Sequence, residues 1–138
     1  MLSILKFSKI FSDALIPIQS TQGSNGIDLF SYDTKEINPM STAIISTGIK
    51  IYFNNNYYGM IASRSGKAFN YRLFAFNGVI DYDYNDEIKV LLINFSNKIH
   101  KINKGDKIAQ LLILRNEIPG ITKNNKKHKG FGSTDNKN

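Results

Sequence analysis

The apolar residues of this chain come in short runs, and no run is long enough or suitably spaced to make an amphipathic helix of ordinary length. Residues 43–53, 57–62, 87–95 and 107–114 are rich in Ile, Val, Leu, Phe and Tyr. Side chains that branch at Cβ or carry a ring suit a pleated, half-buried backbone. Within Glu87-Ile88-Lys89-Val90-Leu91 apolar and charged residues alternate, as in a strand with one face buried. Asn54-Asn55-Asn56 and Tyr84-Asn85-Asp86 read as turn tips, since Asn and Asp tolerate left-handed backbone angles. Lys67 to Leu73 has room for one turn or a short helix. The expectation is an all-β barrel or sandwich of many short strands.

With 138 residues the chain is expected to form a single domain, 1–138. Strands should fill a β core over about 1–115, and from about Asn116 the sequence turns polar, basic and glycine-containing, as in a mobile tail. The basic, apolar opening MLSILKFSKIF reads as a first strand and not as a targeting peptide, because it lacks Arg and no small-residue cleavage site follows. The chain has no cysteine, which removes disulfides, thiolate catalysis and cysteine zinc sites and fits an intracellular location. No apolar run nears the roughly 18 residues of a membrane span, so no membrane partner is expected. The net charge of +7 favours anionic ligands, and part of the excess lies at Lys123, Lys126, Lys127 and Lys129. Electrostatic contact with nucleic acid needs only such clustering, but no recognition motif points to a specific nucleic acid.

Five segments have residue types suited to chemistry. Gly78-Val79-Ile80-Asp81-Tyr82-Asp83-Tyr84 sets carboxylates and a ring at a strand-to-turn junction, where a carboxylate can take a proton from water. An acidic hairpin turn explains it equally simply. Arg64-Ser65-Gly66 offers a planar fork of donors, a hydroxyl and a close backbone approach, all useful to a phosphate and all common in surface loops. Gln110, in Gly105 to Leu111, is an amide at the start of a buried strand and needs partners, from the backbone or a phosphate. In Gly130-Phe131-Gly132-Ser133-Thr134, backbone amides can cradle phosphate and the ring can cover a base, although a polar tail has the same composition. It is not a Walker loop, which ends in GK[ST]. Gly26-Ile27-Asp28-Leu29 carries a single carboxylate.

In order and spacing these five segments resemble motifs one to five of the trimeric dUTP pyrophosphatases, over nearly the whole chain. The resemblance implies a compact jelly-roll-like (β-clip) subunit with a flexible C-terminal tail, assembled as a homotrimer whose active sites each draw motifs from more than one subunit. It implies hydrolysis of dUTP to dUMP and pyrophosphate with Mg2+, which limits uracil incorporation into DNA. Asp81 would activate the water that attacks the α-phosphorus, and Tyr84 would pack under the deoxyribose and exclude a 2′-hydroxyl. Backbone groups around Gly78 and Lys89 would read the uracil edge. Arg64, Ser65, Gly66 and Gln110 would hold the phosphates. Phe131 would stack on uracil, with Gly132 and Ser133 donating to phosphate, and Asp28 would act on magnesium through water or hold Arg64 in place.

The chain departs from the family pattern at several positions. Ser63 replaces a proline before Arg64, which is expected to loosen that turn, and Lys67 replaces an apolar residue. Asp86 stands where a glycine is usual. Lys126 stands where the family has an arginine and would neutralise a γ-phosphate without a fork, while His128, Lys129 and Asp135 replace small residues. Two other functions fit the same fold: a nucleotide-binding or regulatory protein with weakened catalysis, and a dCTP deaminase. Asp81, Asp83 and Tyr84 together with the GFGST tail favour pyrophosphate release.

Overall fold

The computed structural model describes residues 5–124. In chain order its elements are β1 (Leu5–Lys9), β2 (Ile27–Phe30), β3 (Lys35–Ile37), β4 (Ser41–Ser46), β5 (Ile49–Phe53), β6 (Tyr57–Ala62), α1 (Ser65–Tyr71), β7 (Leu73–Ala75), β8 (Val79–Ile80), β9 (Lys89–Asn94), β10 (His100–Ile102) and β11 (Lys107–Arg115). All strand pairings among the described residues are antiparallel. The sheets run β2-β11-β6-β8, β4-β9-β7, β1-β5 and β3-β10. Their inner faces meet in one core that includes Leu29, Ile45, Ile51, Ile61, Leu92 and Leu111. Each such side chain contributes roughly 1.5–3 kcal/mol by leaving water.

The sequence places β1, β6 and β11 well, but two boundaries move. The apolar run 43–53 divides at Thr47-Gly48, and its halves join different sheets. Gly48 has φ +69°, and its amide donates to the Glu87 carboxylate at 2.8 Å, while the Thr47 hydroxyl donates to the Ile88 carbonyl at 2.6 Å. Apolar content cannot reveal such a corner, because both halves are apolar and each sends side chains into the core, Ile45 from one and Ile49, Ile51 and Phe53 from the other. The Gly78–Glu87 stretch is also not a ladder-paired hairpin. β8 pairs with β6, and β9 pairs with β4 and β7. Its tight turn closes from the Tyr84 amide to the Asp81 carbonyl at 3.1 Å, upstream of the expected tip, and Asp86 accepts from the Glu87 amide at 2.7 Å.

The central strand β11 positions the candidate site. Gln110 is the Cα partner of Asp28 on β2 and of Ala62 on β6, so segments 26–29, 62–66 and 105–111 converge on it. A bulge between Lys107 and Ala109 shifts the β2–β11 register. In a regular strand Lys107 would share the core-facing side of Ala109 and Leu111. The extra residue turns it to the face of Gln110 and leaves Ile108 and Ala109 both buried.

Candidate active site

Asp28 lines a cavity of about 280 Å³ together with Ser20, Gly26, Arg64, Ser65, Gly66 and Gln110, among others. Its Oδ1 faces Nε of Arg64 at 3.4 Å, and its Oδ2 faces Nζ of Lys107 at 3.3 Å. The Ser20 hydroxyl donates to Oδ2 as well. Burial raises the Asp28 pKa, but the hydrogen bonds from Ser20 and Lys107 and the charges of Arg64 and Lys107 outweigh it and hold the carboxyl below its ordinary value. The stability it adds is complete above the unfolded value of 3.8 and is lost as pH falls through the lower native one, so the carboxylate is charged at neutral pH.

Arg64 caps the start of α1, its carbonyl accepting from the Ala68 amide at 3.0 Å, and it meets Asp28 through Nε. That contact leaves the two terminal nitrogens on the other edge of the fork for an oxyanion. Ser63, where the family pattern has a proline, gives this turn a side-chain contact of its own. Its hydroxyl accepts from the Ala75 amide at 2.9 Å, a tether proline could not supply. The Ser63 carbonyl accepts from Nε2 of Gln110 at 2.8 Å, which fixes the amide and leaves its second N–H for a ligand.

Gly26 makes room for that amide, because a Cβ there would lie 1.9 Å from Oε1 of Gln110. Gly26→Ala therefore forces the Gln110 side chain out of place. Its expected effect is a loss of polyphosphate affinity by about tenfold, the scale of one charge-assisted hydrogen bond. Titration calorimetry with inorganic tripolyphosphate should show Gly26→Ala and Gln110→Ala weakening binding alike, with no further loss in the double variant.

Gly78, Tyr84 and Lys89 line a second cavity, of about 170 Å³, together with Ile61, Ile80 and Ile88. The Tyr84 hydroxyl donates to the Glu87 carbonyl at 2.6 Å and so fixes the ring. Burial, then the charges of Asp86 and Glu87, raise its pKa. The Gly78 amide donates to the Phe76 carbonyl, and its carbonyl accepts from the Ile61 amide, both at 2.9 Å. Gly78 thus has only a spare carbonyl lone pair to offer a base. Asp81 is exposed and belongs to a third hollow, of about 480 Å³, with Tyr58, Arg115 and Asn116. The phosphate-type and ring-lined cavities share no lining residue. Lys126, Phe131, Gly132 and Ser133 lie outside the described residues.

No sequence signal gives Ser20 or Lys107 a place in the site. Nothing near Ser20 marks it, and it reaches the site only because Ile18 bridges to Asp28 through main-chain bonds of 2.7 and 3.3 Å. Lys107 lies an odd three residues from Gln110, a spacing that puts the two on opposite faces until the bulge is known.

The fold is that of solved all-β nucleotide-chemistry proteins. The dUTPase from phage phi11 of S. aureus superposes with a TM-score of 0.82 over 93% of this chain and 100% of that one at 23% identity. The Staphylococcus bacteriophage 80alpha dUTPase gives 0.81 over 91% and 98% at 22% identity. Among curated relatives, the deoxyuridine 5'-triphosphate nucleotidohydrolase of fowlpox virus is 38% identical over 91% of this chain and 93% of its own. That of Hydrogenobaculum is 39% identical over 94% and 96%. The dUTPase family model matches residues 12–135, and the chain belongs to the dUTPase family.

Proposed function

We propose that this protein hydrolyses dUTP to dUMP and pyrophosphate. The observation that carries the reading is the convergence of Arg64, Ser65, Gly66 and Gln110 on one cavity, with the arginine fork braced by Asp28. In the reaction water attacks the α-phosphorus, its proton passes to Asp81, and the bond to the α–β bridging oxygen breaks to release pyrophosphate. Arg64 and Gln110 neutralise and orient the phosphates, while Tyr84 walls the sugar. A methyl at Gly78 would meet only the Ile61 side chain, at 3.8 Å, so the chain itself does not require glycine there, whereas a base lying against the backbone does.

Magnesium fits as an ion carried by the triphosphate, where it would offset phosphate charge. No cluster of three or more carboxylates and imidazoles that could hold a metal occurs among the described residues, and Asp28 already faces two cations. Asp28 would therefore reach the ion through water, in keeping with the several waters magnesium retains.

The separation of the two cavities supports a homotrimer with shared sites. Ile44, Phe76 and Phe95 are exposed along the β4-β9-β7 sheet or at its end, an apolar surface that a second copy would cover. The test is pyrophosphate release from dUTP with magnesium, set against dCTP, dTTP and UTP. Turnover of dUTP alone is expected, whereas ammonia release from dCTP or binding without turnover would overturn the reading. Mixed trimers refolded from Arg64→Ala and Asp81→Asn chains should regain activity that neither variant has, because some of their sites combine an intact Arg64 from one chain with an intact Asp81 from another.

A further inference from the structure

Asp28 divides its oxygens between two sets of partners. Oδ1 faces Arg64, while Oδ2 takes the Ser20 hydroxyl and Lys107, whose Nζ also donates to the Ser20 oxygen at 3.2 Å. Both of these partners are held there by the backbone, Ser20 by the Ile18–Asp28 bridge and Lys107 by the bulge in β11. A carboxylate with both oxygens free prefers to grip an arginine through two parallel N–H bonds. Made end-on, through the two terminal nitrogens, that grip would consume the fork a phosphate needs. With Oδ2 occupied, Arg64 meets Asp28 through Nε alone, and its terminal nitrogens stay open to the cavity.

We propose that Ser20 and Lys107 are positioning residues that hold Oδ2 of Asp28 and thereby keep the Arg64 fork available for the substrate's polyphosphate. The inference rests on the reading of Arg64 as a phosphate ligand. It assigns Lys107 an action through Arg64 and no contact of its own with substrate.

The test is a double-mutant cycle on the full chain. Lys107→Met is made alone and on an Arg64→Ala background, with kcat and KM for dUTP read on the single variant and the Kd for inorganic tripolyphosphate read on both backgrounds. Lys107→Met should raise KM and Kd by about tenfold and leave kcat within about twofold, since only ground-state and transition-state binding lost together is at stake. Lys107→Arg should restore both constants, and Ser20→Ala should shift them the same way by less. On the Arg64→Ala background Lys107→Met should add nothing. A full tenfold penalty on that background would mean that Lys107 binds phosphate itself and would overturn the proposal. So would a fall in melting temperature with KM and Kd unchanged. If the wild type bound tripolyphosphate with the expected coupling but did not turn over dUTP, the positioning role would stand and the hydrolase reading would fall.

Discussion

Asp81→Asn is expected to lower kcat for dUTP hydrolysis by about 10²–10⁴-fold, the range a positioned general base contributes, while dUTP still binds. The amide keeps the size of the carboxylate and cannot accept the proton of the attacking water. Asp81 is exposed at the edge of a hollow and forms no described ion pair, so the exchange leaves no buried charge unpaired and the fold should be unaffected. Stopped-flow pyrophosphate release and calorimetric dUTP binding together check this. A kcat within about tenfold of wild type would remove Asp81 from the role of base.

The second large effect concerns stability and lies away from the cavities. Asn94, at the end of β9, is fully buried. Its Nδ2 donates to the carbonyls of Ile37 at 2.9 Å, Asn38 at 3.2 Å and Lys98 at 2.8 Å, and its Oδ1 accepts from the Ser96 amide at 3.0 Å and hydroxyl at 2.7 Å. One side chain thus ties the end of β3 to the β9–β10 connection. Asn94→Ala strips these groups of their partner, most completely at the Ile37 carbonyl, whose bond is buried while the others are partly buried. At about 1–3 kcal/mol for each buried group left unsatisfied, a loss of about 3 kcal/mol or more is expected. Urea denaturation measures it, and a loss below about 1 kcal/mol would show that solvent enters the loop. Activity per folded molecule should be retained, since Asn94 lines neither candidate cavity.

The two variants probe different properties of the chain. Asp81 belongs to a segment whose residue types already suggest chemistry, so the sequence nominates it. Asn94 lies in a run that reads only as an apolar strand, and its importance comes from three carbonyls, two of them more than 50 residues away in sequence. The same contrast holds within the site. Arg64, Gln110 and Asp28 lie in segments that resemble family motifs, whereas Ser20 is an unremarkable serine until the Ile18–Asp28 bridge brings it to the carboxylate.

The amino-acid sequence by itself determined the β character, the positions of β1, β6 and β11, and the residues with the right chemistry for nucleotide phosphates. These follow from local rules, namely the preference of branched and aromatic side chains for a pleated backbone and the donor sets of Arg, Ser and Gln. Only the tertiary structure decided that residues 43–53 turn a corner at Gly48, that β8 and β9 enter different sheets, and that Lys107 joins Gln110 on the cavity side of β11. Strand register inverts sidedness with every residue gained or lost, so a single bulge can move a lysine from the core side to the site. That inversion depends on which partner strand lies alongside, a long-range choice to which no local sequence window responds.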